Sequence, residues 1–591
     1  MQILRRWSSP WAKSGPALVV LMLIAVACGS AAPPEATTPA TTGIMATPAG
    51  GVTPTAVPTS TASSETSGSA ETSGSMEVNP GAVTWMVGSF GNERFDYAFA
   101  AGTGHDYARQ VHGFLISSDI KDDRRVFVPG IASEWNLSKD GLTWNFTIRD
   151  GVKFQDGTEL TAEDVYWTLQ HTFGPQAKEY GTSITNLLTP ILDRFEQTGP
   201  DQVSATFKVP SPDFASEVSD AVGDWITVLP RRSTMHNPDE EAAYDQNPIG
   251  AGLMKLVGHV PVESMTFERF DDYYYQPRYG LPSDKRVQFQ TLKMYLVPEE
   301  ATRVAALRSG EADIAPVGIA SRKQVEAGGG RIVMGQEGVY FNIKLLGCWK
   351  AAWPCHDQRV RQALEYAIDK ETMRDALYGG PDIMQIKGWL GTTPSTLGYS
   401  PDLDPFPYDP DKARQLLAEA GYPGGEGFGK VIVDTWMSTS LPLMPESAEL
   451  AASYWRNELG LDVEVRVGDE TGLKKAYTLT EDLYGHVLWR DNETRIDGSR
   501  LLRSGYTNPE VKTTLHNDPE VFNLTNDALT VFDPVEREKV LNSTYLRLRD
   551  ESYELGIGYV NIPWGVGPRI QTWEPMPLAF YPSALHTIVL K

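Results

Sequence analysis

Cysteine, cationic side chains and long apolar runs are all scarce in this sequence. Three cysteines occur among 591 residues, none in a C-x-x-C pair, which excludes a dithiol redox motif of that spacing. Lys and Arg number 52 against 76 Asp and Glu, a net charge of −24. Such a surface repels nucleic acid, and no Lys/Arg run compensates, so no nucleic-acid partner is expected. The apolar run from Pro16 to Ala27 is short for a membrane span. No G-x-S-x-G elbow, H-E-x-x-H pair or P-loop is found, so the rival reading as an exported hydrolase has no motif to stand on, and no enzyme is expected. His105 and His112, with Asp106 beside the first, form a faint metal pattern, but isolated His pairs are usually structural. No metal and no cofactor is expected.

What is present begins with an export signal. Arg5, Arg6 and Lys13 precede the apolar run, which ends Ile24-Ala25-Val26-Ala27-Cys28-Gly29. Small residues followed at once by Cys resemble a bacterial lipobox, so residues 1–28 read as a lipoprotein signal with Cys28 as the lipidated residue; an ordinary cleaved signal is the alternative. Residues 29–78 hold no aromatic residue, Lys or Arg and are dominated by Ala, Thr, Pro, Ser and Gly. Such a stretch cannot bury enough apolar surface to order itself, and about 50 residues of it reach roughly 40 Å. It reads as a tether between a membrane anchor and a folded body. In an exported compartment Cys348 and Cys355 can pair as a structural disulfide; two free thiols are the alternative.

The length predicts two or three domains. Val83, Trp85 and Val87 alternate as on a half-buried strand, and Leu142, Trp144, Phe146 and Ile148 do so more clearly. Thr161 with Asp164 opens a helix carrying Val165 and Leu169 inward. Asp357 to Ile368 is a helix with Val360, Ala363, Leu364 and Ala367 inward. Asp409-Pro410 starts another, with Leu416, Leu417 and Ala420 apolar and Gly421 as its stop. Leu450 to Leu459 is a third, followed by a strand with Val463, Val465 and Val467. Alternating helices and strands argue for an α/β architecture.

One long segment is specific enough to name. Pro129-Gly130-Ile131-Ala132-Ser133-Glu134-Trp135 is followed by Asp140-Gly141-Leu142-Thr143-Trp144-Asn145-Phe146, then by Arg149-Asp150-Gly151-Val152-Lys153-Phe154-Gln155-Asp156-Gly157 and Thr161-Ala162-Glu163-Asp164-Val165. Asp-Gly at 140–141 and 156–157 suits tight turns. Further blocks follow in order: Asn247-Pro248-Ile249-Gly250-Ala251-Gly252, Leu307-Arg308-Ser309-Gly310-Glu311-Ala312-Asp313-Ile314, Asp357 to Leu364, and Tyr408-Asp409-Pro410 to Tyr422. Together they resemble the family 5 extracellular solute-binding proteins, the peptide/nickel-type binding components of ABC importers. The resemblance implies a type II periplasmic-binding fold of cluster C, two main lobes plus a third domain, hinged. Lobe I would comprise 79–125, 246–337 and 562–591, lobe II 126–245, and lobe III 338–561. The hinge would lie near Tyr340–Asn342 and Tyr559–Trp564.

The same resemblance implies the function and the site. The protein is expected to be a monomeric, lipid-anchored binding protein on the outer face of a membrane or in the periplasm, passing oligopeptides or similar solutes to ABC permease subunits. A non-peptide ligand (oligosaccharide, opine-like compound, metal chelate) or a sensor role are the alternatives. In the family a Trp and a nearby Asp of lobe III meet the ligand, the Asp holding a peptide's amino terminus. Trp489 and Asp491 match that position, but Leu488 replaces a Gly before the Trp and the cationic Arg490 follows it. A shifted alignment substitutes Asn492 or Asp497, and a surface ion pair of Asp491 with Arg490 or Arg495 is the plainer reading. Ser89, Phe90, Gly91 and Asn92, at the end of the first strand, are the second candidate group, with His105 nearby. Tyr340 and Trp564 line either the cleft or the core.

Overall fold

The alternation of the first strand, Asn79–Val87, is also its burial pattern: Val83, Trp85 and Val87 are enclosed and their neighbours are half-exposed. This is a computed structural model, and it describes residues 79–591 apart from 98, 101–102, 123, 174–187, 222–225, 232–237, 439–440, 471, 474–482 and 508–518. The signal segment, Cys28 and the 29–78 linker lie outside the described residues. Among the described residues no helix is long and apolar enough to cross a membrane.

The first strand pairs in parallel with Phe289–Leu296 and Ile314–Pro316. These belong to a sheet of twelve strands that runs through the molecule. On one side the sheet ends in the antiparallel strands Ser264–Arg269 and Met254–Val260. On the other it ends in His486–Glu493, Lys430–Thr435 and Asp462–Val467, the last two joined in parallel. Two long antiparallel strands connect the halves, Arg331–Leu345 and Tyr559–Val566. Their register shifts between Gly335 and Val339, and Glu337 inside that bulge has φ +55°. A bulge of this kind bends the strand and raises its twist, here midway between the two halves of the sheet.

A second, four-stranded sheet runs Ala132–Leu137, Thr143–Ile148, Gln202–Phe207, Leu192–Gln197 in spatial order. Trp144, Phe146 and Ile148 face its core, as their alternation predicts. That core is separate from the one on the large sheet, and Tyr273, Tyr274 and Tyr275 close it. Gly141 and Gly157 hold φ of +72° and +87°, the left-handed geometry that their Asp-Gly turns require.

The helix signals resolve in detail. Asp164 is the acceptor at the start of Ala162–Phe173, taking Thr161 N at 2.9 Å and Thr161 Oγ1 at 3.0 Å, so only one arm of a capping box forms. Asp357 and Asp409 cap their helices through Arg359 N and Lys412 N. On the second of these helices Ala413 and Leu417 point inward, while Leu416 and Ala420 are only partly covered. The third helix runs Met444–Leu459, six residues longer than expected, because Met444, Ser447 and Ala448 extend its buried face. Val467, expected inward, is exposed at the end of its edge strand. Cys348 and Cys355 form a buried disulfide with Cα atoms 5.2 Å apart.

Candidate functional site

The strand His486–Glu493 carries the lobe III candidates on its two faces. Trp489 packs on the helix Met444–Leu459, while Asp491 is half-exposed. Trp489 is fully enclosed; its Nε1 donates to Ser447 Oγ at 2.9 Å and its ring meets Phe341 edge-on. Asp491 Oδ2 accepts from Ser438 Oγ at 2.7 Å. Trp489 is thus a core residue in this arrangement, presenting no surface to a ligand. The physical reason lies in its place on the strand: Val487, Leu488 and Trp489 form a continuous buried run, and the strand becomes half-exposed only from Arg490 onward.

The opposite face holds Arg490 and Asn492, whose strand neighbours are Asn342 and Tyr340. Arg490 is half-buried and donates Nε to Asp491 O at 3.0 Å. Beyond it Glu554 is buried among Asn342 Nδ2, Lys344 Nζ at 3.3 Å and Tyr506 OH at 3.4 Å. Burial raises the Glu554 carboxyl above the usual range, with Lys344 and Arg490 pulling the other way. A narrow crevice opens beside this group, lined by Tyr340, Trp389, Gly391 and Glu554 among others. Asp497, the other carboxylate considered, is occupied by Arg537 at 3.0 Å and by Ser499.

The first-strand loop behaves differently from one residue to the next. Asn92 is exposed and Ser89 half-exposed; Ser89 Oγ accepts from Gly91 N at 3.0 Å and Asn92 Nδ2 donates to Phe99 O at 2.8 Å. Phe90 is buried against Tyr107 and belongs to the core. Trp564 is buried on its strand, and Tyr340 is buried with its ring against Gly391. His112 gives Nε2 to Phe95 O at 2.6 Å and stacks on Tyr244. No group of three or more His, Cys, Asp or Glu is placed to hold a metal among the described residues.

Sequence reasoning missed the contacts that join the 126–245 segment to the 338–561 segment. Arg503 grips Asp213 through Nη2–Oδ1 at 2.9 Å and Nε–Oδ2 at 3.2 Å, and donates Nη2 to Pro210 O. Burial raises the Asp213 carboxyl, but Arg503 outweighs it, and the net value lies below the usual range. Arg500 reaches Glu217 at 2.9 Å. There burial dominates: the Glu217 carboxyl is raised and the Arg500 guanidinium lowered despite their pairing. The Phe532 ring sits over Gly141, where any Cβ would overlap it. Arg125, also buried, ties Ser118 Oγ, Asp220 O and the carbonyls of Pro577 and Leu578 together.

This is an architecture of two cores bridged by strands, with a polar seam between segments. Comparisons place it. The family described as bacterial extracellular solute-binding proteins, family 5 Middle, matches residues 126–506. The heme-binding protein A of Haemophilus influenzae is 24% identical over 81% of this chain and 87% of its own length. The dipeptide-binding protein of Escherichia coli is 27% identical over 62% of this chain and 68% of its own. The crystal structure of the ABC transporter substrate-binding protein CtaP of Listeria monocytogenes superposes with a TM-score of 0.71 at 19% identity, covering 86% of this chain and 99% of that one. The fold is that of the type II periplasmic binding proteins, and the chain belongs to the family 5 bacterial extracellular solute-binding proteins, which bind solutes and are not enzymes.

Proposed function

We propose that this protein is the lipid-anchored binding component of an ABC importer that captures oligopeptides and delivers them to the permease. Its lobes are 79–125 with 246–337 and 562–591, then 126–245, then 338–561. The observation that carries the reading is the seam of Arg503–Asp213 and Arg500–Glu217 between the second and third of these. Buried ion pairs between segments more than 280 residues apart in sequence are contacts that one arrangement of the lobes makes and an opened one breaks. A ligand that touches both sides favours the arrangement in which they meet, and its differential affinity shifts the hinge equilibrium. The bulged strand at Glu337 supplies a place to bend.

Peptide is the favoured solute because the E. coli relative carries that specificity in its name. Of the sequence candidates, Ser89, Asn92, Arg490 and Asp491 keep accessible surface and are assigned ligand contact; Trp489 and Phe90 shape the walls behind them. Cys28 carries the lipid and the 29–78 tether lets the body reach its permease. Native followed by denaturing mass spectrometry of the full-length protein, purified in detergent, tests the reading. A set of short-peptide masses released on denaturation is expected. A single non-peptide mass keeps the binding role and removes the peptide assignment.

A further inference from the structure

The two strands that connect the halves of the large sheet meet at one irregular point. Opposite Asn561 on the strand Tyr559–Val566, the strand Arg331–Leu345 carries Gln336, Glu337 and Gly338 where a regular ladder has a single residue. Glu337 is buried, and its backbone takes the left-handed conformation at φ +55°. Gly335 and Gly338 stand beside it, neither with positive φ, while the one left-handed position is given to a glutamate. Glycine adopts that conformation freely, but a residue with a side chain is strained there, and the strain persists only where the surroundings hold it.

The bonds of Glu337 show what holds it. Its N donates to Asn561 Oδ1 at 2.8 Å, and its O accepts from Thr494 Oγ1. Its carboxylate accepts from Ser395 twice, Oε2 from the amide N and Oε1 from Oγ, both at 3.0 Å. Asn561, Thr494 and Ser395 are all buried. One residue before, Gln336 O accepts from Leu578 N at 2.8 Å, on the proposed lobe I; one residue after, Gly338 O accepts from Thr494 N at 3.5 Å, on the proposed lobe III. Glu337 is therefore the residue between an anchor on one lobe and an anchor on the other, so a bend at the bulge turns its own torsions. Its partners also lead to the seam. Thr494 starts the run from the strand His486–Glu493 to Arg500 and Arg503, and Thr396, next to Ser395, donates Oγ1 to Arg495 O at 2.9 Å within that run.

We propose that Glu337 is the latch of the hinge, a positioning residue whose carboxylate, bonded twice to Ser395, holds the strained bulge in the closed arrangement of the solute-free protein. The inference rests on the hinged reading above and goes beyond it by naming the residue that sets the equilibrium. When the lobes part, the anchors at Gln336 and Gly338 turn relative to one another, Glu337 leaves its left-handed conformation, and the carboxylate exchanges Ser395 for water. The strain released on opening opposes the two bonds lost. Closed and open forms are thereby kept close in energy, so that the differential affinity of a solute suffices to decide between them.

Small-angle scattering of the full chain, dialysed free of solute, tests this with Glu337→Ala, Glu337→Gly, Ser395→Ala and Arg503→Ala. Glu337→Ala loses the latch and keeps the strain. Its closed-to-open ratio is expected to fall about tenfold or more, a loss typical of hydrogen bonds to a charged group, and its radius of gyration to rise toward that of Arg503→Ala. Glu337→Gly loses the latch and the strain together, so it should lie between Glu337→Ala and the native protein. Ser395→Ala removes one of the two bonds and should open the protein less than Glu337→Ala, with no further opening when the two are combined. Should Glu337→Ala fail to fold, Ser395→Ala carries the same readout. A residue that only stabilised lobe III would lower the melting temperature of these variants and leave the scattering profile of the folded protein unchanged. That result in the Glu337 and Ser395 variants, beside an expanded Arg503→Ala, overturns the latch alone. No expansion in any variant, Arg503→Ala included, overturns the hinged reading and the latch with it.

Discussion

Arg503 holds Asp213 in a two-bond, charge-assisted grip across 290 residues of sequence, and both side chains are buried. The grip outweighs the burial of the carboxylate, since the Asp213 carboxyl settles below its usual range. Arg503→Ala leaves that carboxylate buried and alone, which costs about 3–5 kcal/mol unless the segments part to let water in. Parting is the cheaper outcome for a hinged protein. The variant is expected to show a larger radius of gyration in small-angle scattering and a ligand affinity at least about tenfold weaker, or roughly 1.4 kcal/mol. An unchanged scattering profile together with unchanged affinity would remove the pair from the closure mechanism.

The same pair has a pH signature. A carboxyl whose folded value is depressed stabilises the folded form above its unfolded value, about 3.9, and that contribution is lost as pH falls through the lower folded value. The Arg503–Asp213 contact should therefore persist unchanged from pH 8 to pH 5 and fail only below about pH 4. Scattering profiles of the native protein across this range, with Arg503→Ala as the open reference, read the transition directly.

The neighbouring pair should answer differently. For Arg500 and Glu217 burial wins over pairing on both partners, and Glu217 Oε1 has no hydrogen bond. Replacing both by apolar or neutral isosteres, Arg500→Met with Glu217→Gln, should leave thermal stability equal to or above that of the native protein. Arg500→Met alone should lower it by about 3 kcal/mol, because it strands the carboxylate. Chemical denaturation of the three proteins checks the order; a double variant less stable than the single would reverse the assignment.

What the sequence made legible was local. The left-handed glycines 141 and 157 and the caps Asp357 and Asp409 act within four residues of themselves, so spacing alone locates them. The strand alternation at Trp144 also survived, because one face of its sheet is wet. Trp489 was assigned to the ligand by its neighbours in sequence, yet period two places it with Val487 against the helix Met444–Leu459. The Asp213–Arg503 seam left no trace, since a carboxylate's partner hundreds of residues away is set by the packing of whole lobes.

Gly141 offers a test of the contact between the hairpin turn and Phe532. Both Gly141 and Gly157 have positive φ, so alanine strains either turn by about 1 kcal/mol. At Gly157 nothing lies within 4 Å of a new Cβ, whereas at Gly141 the Cβ would overlap the Phe532 ring. Gly141→Ala should thus cost clearly more than Gly157→Ala in thermal denaturation. Adding Phe532→Ala to Gly141→Ala should not add the usual price of deleting a phenylalanine, because it relieves the overlap. Strict additivity of the two would mean that the ring does not rest on the turn in solution.

The buried disulfide gives the last prediction. Cys348 and Cys355 are seven apart and both fully enclosed. Closing so short a loop stabilises by about 2.5 kcal/mol in the chain-entropy model. The bond also fixes the turn that leads from the long strand Arg331–Leu345 into the helix Gln358–Tyr366, and His356 Nδ1 lies 2.9 Å from Cys348 O across it. Cys348→Ser with Cys355→Ser should lower unfolding free energy by about 2–3 kcal/mol, with ligand affinity held within about twofold, since neither cysteine borders the seam at Asp213 and Glu217. Urea titrations of the native protein with and without reductant, compared with the double variant, measure the first quantity. A loss confined to affinity would instead make the loop part of the binding surface.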